Sequence, residues 1–377
     1  MWPGTPQRLD AGSRGGGGTE VLAALSTGGK KQIAFFKGDE AGTPIGSHTL
    51  YDLAQQGQKS GDGISVGMVQ TWNQCNDLIL TSHDKPDGML VMDTETGKTK
   101  NELTLKRQQA NWKMTVDSVT PMQKFEQYKA SQEYQLFGLG DGGQTVFALS
   151  HDTRAGENVE QYVIRADAHR KYKSKWVFTS HAQTKGGHLV LGRSDGAIAL
   201  YDAIMKSENA SCVIDEMPGP VSSVDVTADG SMVVWTTPQF AFCTCPSEGN
   251  WLKGKAAKPK VLQLGFSDAD QAKLKEHIHN EDGEVCVWTP IKFDATTAKD
   301  ADGLSEREMI SYCGQVQVRW NVRQARAAWA ALNEGEEAQA TIDGVATVVE
   351  GSVTSHMTVM DDMDLVALGD GVRGLKF

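Results

Sequence analysis

Several features that mark common protein classes are missing from this chain of 377 residues. It has no apolar run near the roughly 18 residues of a membrane-spanning helix, so a membrane span is excluded. Residues 1–18 hold four consecutive glycines but no apolar central stretch, which is unlike a secretory signal. We therefore expect a flexible N-terminal tail over residues 1–19, with an organelle transit peptide as the alternative, and one folded domain over residues 20–377.

A surplus of basic residues is also missing, since the net charge is −11. Nucleic-acid binding depends on many Lys and Arg side chains that neutralise phosphates, so we expect no nucleic-acid partner. The six cysteines stand at scattered spacings, which is typical of thiols in a reducing cytosol and unlike a disulfide framework. The cysteines therefore favour a cytoplasmic protein.

What the chain does contain is an internal repeat of apolar strand, tight glycine turn and second apolar strand. One copy is Leu78–Ser82, Asp87-Gly88 and Met89–Val91, and another is His188–Arg193, Asp195-Gly196 and Ala197–Leu200. Asp-Gly between such runs is the strongest short hairpin signal, because glycine takes the positive φ of a primed turn. The predicted turn glycines are Gly88, Gly142, Gly196, Gly230, Gly314 and Gly371.

The distance between turns predicts the fold. It is 54 residues from Asp87 to Asp141 and again from Asp141 to Asp195, which suits a four-stranded unit of a β-propeller. We predict an all-β fold, a single closed propeller of seven blades with four antiparallel strands each and short helical insertions. Six and eight blades are the alternatives. Closure is expected through pairing of the N- and C-terminal strands, with Val21–Lys37 and Leu365–Phe377 in one blade.

Insertions interrupt the repeat in two places. A helix is predicted over Asp268–Ile278 with Ser267 as its N-cap, and a second over Asn321–Asn333. Insertions in propellers map to loops and often to the binding surface. A lysine-rich loop before the first helix is the candidate partner-contact loop, with weak contact to an anionic surface as an alternative use. Its lysines are Lys253, Lys255, Lys258 and Lys260.

Motifs for catalysis or metal binding are weak. Ser82-His83-Asp84 and Ser150-His151-Asp152 hold the residue types of a hydrolase triad. Consecutive strand residues point to opposite faces, however, and cannot form its hydrogen-bonded relay. A further set matches no standard zinc module and consists of Cys243, Cys245, His277 and His279. We therefore predict no catalytic residue, no cofactor and no metal site.

The order of several pieces resembles the C-terminal propeller of the Vid twenty-seven family, which is named for vacuolar import and degradation in yeast and includes the plant defective embryo and meristems proteins. The pieces are Gly192–Asp202, Pro218–Gly230, Met232–Val234, Val318–Asn321 and Met92–Lys98. The resemblance covers the chain from about Lys30 to Phe377. It implies a cytoplasmic, non-enzymatic protein of eukaryotes linked to vesicular trafficking or cargo turnover. Full-length members carry additional N-terminal domains, whose functions do not transfer.

Three functions are consistent with a closed propeller, a rigid disc with two loop faces. The first is a scaffold that binds other proteins. The second is a structural subunit of a large assembly. The third is an enzyme or small-ligand binder, which would need histidine and carboxylate side chains that converge at the mouth of the central channel.

Overall fold

The structure is a computed structural model that describes the chain in segments. Strands dominate these segments, and two helices occur among them, α1 (Asp268–His277) and α2 (Val322–Glu334). The described residues are 6–13, 21–27, 32–38, 48–52, 66–72, 77–82, 86–93, 96, 98–104, 115–121, 134–151, 158–165, 176–184, 187–202, 209–215, 217–246, 259–279, 283, 285–294, 306–334, 341–360, 363–368 and 371–376.

Four sheets are antiparallel meanders of four strands in sequence order. The first holds β1 (Pro6–Ser13), β2 (Val21–Thr27), β3 (Gln32–Gly38) and β4 (His48–Asp52). The next holds β5 (Val66–Trp72), β6 (Asp77–Ser82), β7 (Gly88–Asp93) and β8 (Thr99–Thr104). The third holds β9 (Val116–Pro121), β10 (Tyr134–Gly140), β11 (Thr145–His151) and β12 (Asn158–Arg165). The fourth holds β13 (Phe178–Gln183), β14 (Leu189–Arg193), β15 (Ile198–Tyr201) and β16 (Cys212–Ile214).

Two further meanders are joined into one sheet of eight strands. One consists of β17 (Ser223–Val226), β18 (Val233–Thr236), β19 (Ala241–Thr244) and β20 (Leu262–Phe266). The other consists of β21 (Lys292–Phe293), β22 (Glu308–Cys313), β23 (Val316–Asn321) and β24 (Thr341–Val348). Their outer strands β20 and β24 pair in parallel. The last sheet holds β25 (Val353–Met360), β26 (Met363–Leu368) and β27 (Gly371–Lys376).

The sheets stand side by side in a ring. Contacts between neighbouring sheets run from β1 to β5, β5 to β9, β10 to β13, β13 to β17, β17 to β21, β21 to β25 and from β25 back to β1. First strands therefore surround the centre, and the predicted all-β closed propeller is confirmed. The blade number stays a prediction, because two meanders share one sheet and the last sheet has three described strands.

Two expectations about the N-terminus need correction. Pro6–Ser13, which we assigned to a flexible tail, form β1 and pair with β2. The glycine run that follows this strand favoured a tail, and the alternation of Leu9 and Ala11 was too short to indicate a strand. The prediction that the N- and C-terminal strands share one blade is also wrong. Strands β2 and β3 lie in the first sheet, and β26 and β27 lie in the last. The two sheets are neighbours, since β1 contacts β25 and β26. The ring thus closes by sheet packing among the described strands.

The core lies between neighbouring sheets. Strand residues alternate between two faces, and because both faces of a blade pack on neighbours, strands such as β14 and β15 are apolar and buried along almost their whole length. Trp235 and Trp320 are among the largest fully buried side chains. Trp235 stacks on Phe242 with 5.9 Å between ring centroids. Burial of this kind, at about 25 cal/mol per Å² of apolar surface, holds the ring together.

Both predicted helices are confirmed. The Ser267 hydroxyl accepts a hydrogen bond of 3.2 Å from the Asp270 amide, which is the N-cap geometry predicted for α1. Helix α2 follows β23 directly and begins one residue later than expected. Each helix lies at the end of a sheet, where it shapes one loop face.

Candidate functional site

The meanders give the ring two distinct loop faces. Because successive strands reverse direction, the turn between the second and third strands and the link to the next sheet lie at the same end. The first face accordingly holds the turns 194–197, 237–240 and 314–315, with the links 215–222 and 267–291. The second face holds the turns between first and second strands and helix α2.

Backbone hydrogen bonds join neighbouring sheets on the first face in a repeated manner. In each case an amide at or just before a sheet's first strand donates to a carbonyl in the preceding sheet, in the turn between its second and third strands or at the strand end next to that turn. The bonds are Val116 to Pro86 (2.6 Å), Phe178 to Gly143 (2.7 Å), Val221 to Arg193 (3.1 Å) and Val353 to Gly314 (2.8 Å). Between the described residues 236–241 and 285–294 no such bond forms. We call this place, between the β17–β20 and β21–β24 meanders, the open junction.

Other contacts hold the open junction together away from the first face. At the outer edge, Gln263–Phe266 pair in parallel with Thr341–Gly344. Near the centre, the Phe293 amide donates to the Asp225 carboxylate at 2.9 Å. On the second face, the Ala228 amide donates to the Glu306 carboxylate at 2.8 Å. The two meanders are therefore fixed on three sides, and a gap is left on the first face.

A pocket of about 240 Å³ fills this gap. Four aromatic side chains and three glutamines contribute to its wall, and no charged residue lines it among those the structure describes. Phe266 stacks on Trp288 with 6.0 Å between centroids and an interplanar angle of 16°. The aromatic and glutamine residues are Phe240, Phe266, Trp288, Trp320, Gln239, Gln263 and Gln271.

The aromatic wall is fixed by neighbouring backbone. The Trp320 indole N–H donates to the Gly265 carbonyl at 3.0 Å. This position requires glycine at 344, because a Cβ there would lie 2.6 Å from Trp320 Nε1. On the other side, the side-chain Nε2 of Gln271 donates to the Phe266 backbone carbonyl at 3.3 Å. Hydrogen bonds to backbone carbonyls thus hold the Trp320 and Gln271 side chains of the wall in place.

Apolar side chains are exposed beside the pocket. Phe240 is 36% exposed and Val287, next to Trp288 in sequence, is 85% exposed. Val285, on the same link, is 64% exposed. An apolar patch of this kind beside a pocket is typical of an interaction surface.

The structure places the predicted turn glycines at the ends of hairpins. Positive φ occurs at Gly142 (+64°), Gly196 (+87°), Gly230 (+77°) and Gly314 (+59°). Gly88 and Gly371 are the first residues of β7 and β27. These glycines shape the fold and do not line the pocket.

Of the predicted lysine loop the structure describes Lys260, which lies beside helix α2 on the second face and does not line the pocket. Lys260 is exposed, and its ammonium donates to the Leu332 carbonyl in α2. Lys253, Lys255 and Lys258 lie outside the described residues. Sequence reasoning therefore missed the pocket, for which the signal was the pair of aromatic residues Phe240 and Trp288 in a turn and a link.

Among the described residues, those considered for chemistry do not come together. His83 and Asp84 lie outside the described residues, and His151 ends β11. His277 ends helix α1, so His277-x-His279 is not the extended pair that a metal site with Cys243 and Cys245 required. In the described part of the chain no group of three metal-ligating side chains occurs.

Near the centre, His181 Nε2 lies 3.2 Å from Ser118 Oγ and its ring packs edge-on against Phe137. Burial, with a smaller effect of the Lys292 ammonium, lowers the pKa of His181 to about 4. The imidazole is therefore neutral at physiological pH. Lys292 forms an ion pair of 3.7 Å with Asp225, so the positive charge of the lysine is compensated by the negative charge of the carboxylate.

Among the described helices, neither is long and apolar enough to cross a membrane.

Comparison with known proteins gives a family model and relatives that match this chain. The family model described as the VID27 C-terminal WD40-like domain matches residues 32–332. Vacuolar import and degradation protein 27 of Schizosaccharomyces pombe is 27% identical over 281 residues, which is 70% of this chain and 31% of that protein. The Saccharomyces cerevisiae protein of the same name is 23% identical over 273 residues, 70% of this chain and 32% of that protein. The chain thus spans about a third of these relatives' length.

Among solved structures, the β-propeller domain of Cps50 (Swd1) from Myceliophteria thermophila is similar to the whole chain. The TM-score is 0.62 at 11% identity, with 100% of this chain and 98% of that chain covered. At this identity the likeness concerns the fold alone.

Proposed function

Because the chain belongs to the family of the VID27 C-terminal WD40-like domain, we propose that it is a protein-interaction propeller that binds its partner on the first face. The aromatic pocket at the open junction is the observation that carries this proposal. Its volume of about 240 Å³ falls below the roughly 300–1,000 Å³ of pockets for drug-sized ligands. It therefore suits one large side chain of a protein better than a cofactor.

The finer role is proposed from the relatives. Two of them are named vacuolar import and degradation proteins. By extension, this chain acts in the cytoplasm as a non-enzymatic scaffold in vesicular trafficking or in the degradation of a cargo. Because those proteins are about three times longer than the matched segment, activities of their remaining parts are not included.

A permanent structural subunit is the second candidate function. The observation that favours it is Val287, which is 85% exposed on the first face. Obligate interfaces are more hydrophobic than transient ones, so permanent burial suits such a side chain.

The test is chemical cross-linking of the native, tagged protein in a gentle cell extract, followed by mass spectrometry. The Phe240→Ala variant is compared with Val345→Ala, a control at an exposed apolar residue that does not line the pocket. We expect one or a few partners that depend on Phe240 and not on Val345. A species that stays monomeric in every extract contradicts the proposed function, and a partner held through all purification steps favours the permanent subunit.

A further inference from the structure

The pocket wall limits the chemistry of what can bind there. Four aromatic rings offer apolar contact, and the glutamine side chains offer both hydrogen-bond donors and acceptors without charge. A peptide backbone has the same pairing of N–H and C=O groups. An apolar side chain together with its own backbone therefore matches this wall.

The open junction adds a second argument for a peptide. Four other junctions of the ring are joined on the first face by a backbone amide that donates to a carbonyl in a turn or at the strand end next to it. At the open junction the 237–240 turn receives no such amide from the described residues 285–294. The backbone amide of a partner segment can occupy the corresponding position. The pocket is thus the one described place where the repeated contact between sheets is left to be completed by another chain.

Charge near the pocket selects a basic partner. Asp268, two residues after Phe266, and Asp343, beside Gly265, are exposed and form no ion pair with the described residues. Two lysines on these elements are already engaged, since the Lys273 ammonium lies 2.9 Å from Asp270 and Lys292 pairs with Asp225. The whole chain carries a net charge of −11, which steers positively charged partners toward it.

We propose that the pocket binds a short extended segment of a partner protein, in which one large apolar side chain enters the pocket and an adjacent Lys or Arg pairs with Asp268 or Asp343. This inference rests on the proposed function and names the chemistry of the partner. The apolar side chain supplies most of the affinity, because residues that fill a desolvated pocket dominate binding. The basic residue adds orientation and specificity.

The experiment is a selection from a displayed library of random short peptides against the whole purified chain. The most enriched peptide is then synthesised in three forms: unchanged, with its apolar residue replaced by Ala, and with its basic residue replaced by Glu. Affinities are measured by fluorescence anisotropy with the wild type, with Phe240→Ala, Gln271→Ala and Val345→Ala, and with the double variant Asp268→Asn, Asp343→Asn. Circular dichroism and thermal unfolding check that each variant is folded.

We expect enrichment of peptides with an aromatic or large aliphatic residue next to Lys or Arg. Phe240→Ala should weaken binding about 30-fold, as truncation at an interface hot spot does, whereas Val345→Ala should leave it unchanged. The double change Asp268→Asn with Asp343→Asn should weaken it about fivefold, since exposed ion pairs contribute modestly. Gln271→Ala gives a second measure should Phe240→Ala fail to fold.

Two results overturn the inference while the proposed function stands. One is enrichment of peptides whose binding is the same with Phe240→Ala and Gln271→Ala, which places the interaction elsewhere on the propeller. The other is binding that needs Phe240 but is equally strong when Glu replaces the basic residue. If the library yields no binder and the cross-linked extracts yield no partner, the inference and the proposed function both fail.

Discussion

Replacing Gly196 by alanine is expected to destabilise the propeller more than the same replacement at Gly142. Both residues have positive φ, +87° and +64°, where any other residue is strained by about 1–2 kcal/mol. Their surroundings differ. A Cβ on Gly142 would meet nothing within 4 Å, whereas one on Gly196 would lie 2.7 Å from the Gly219 carbonyl oxygen and 2.8 Å from that of Met217.

The clash at Gly196 involves backbone, which cannot rotate away as a side chain can. The 217–219 link must therefore move, and it leads directly into Val221, whose amide donates to Arg193 and joins two sheets. Forcing extra atoms into a packed site costs about 1–3 kcal/mol. Gly142→Ala should then lower the free energy of unfolding by about 1–2 kcal/mol and Gly196→Ala by about 2–5 kcal/mol.

Urea denaturation followed by tryptophan fluorescence is the suitable assay. For a chain of this length, 1 kcal/mol shifts the melting temperature by only about 1 °C, so a denaturant midpoint resolves the difference better. Equal shifts of the midpoint for Gly142→Ala and Gly196→Ala, with unchanged slopes, would refute the close approach of the 217–219 link to the 194–197 turn.

Three further predictions concern other parts of the fold. Gly344→Ala should destabilise by about 1–3 kcal/mol and shift the tryptophan fluorescence, because its Cβ would lie 2.6 Å from Trp320 Nε1; an unchanged spectrum and midpoint would contradict this. Burial raises the pKa of Asp294 from 3.8 to about 6. Between these two values the folded chain holds a proton that the unfolded chain has lost. The free energy of unfolding should therefore fall by about 2–3 kcal/mol as pH rises from about 4 to 6. Asp294→Asn should abolish that part of the pH dependence. If the urea midpoint changes with pH in the same way in the wild type and in Asp294→Asn, the prediction is wrong. Ser267→Ala should cost about 1 kcal/mol through loss of the α1 N-cap and speed hydrogen exchange in that helix, while Ser267→Thr, which keeps the hydroxyl that accepts from the Asp270 amide and donates to the Asp270 carboxylate, should change neither.

The local features of the fold could be predicted because their signals are contained in short stretches of sequence. Asp195-Gly196 predicted a turn, since a positive φ needs glycine at that position. Ser267 followed by a helical pattern predicted the cap of α1 for a similar reason. Their repetition along the chain then predicted the propeller.

The features that sequence reasoning missed arise from contacts between distant residues. The parallel pairing of β20 with β24 joins residues almost eighty positions apart, and no turn signal marks it. The pocket likewise unites Phe240 from a turn, Trp288 from a link and Trp320 from a strand. It lies at the junction where one backbone bond of a repeated set is not formed among the described residues, and the absence of a bond leaves no mark in sequence. Pro6–Ser13 were missed since the glycines after them favoured a flexible tail.

The most direct test of an interaction propeller with its site at the open junction is hydrogen–deuterium exchange of the native protein, alone and with its cross-linked partner. We predict slower exchange on binding in residues 237–241, 262–271 and 285–290, with the second face unchanged. Slower exchange confined to the second face, at residues 227–232 and helix α2, would contradict the account.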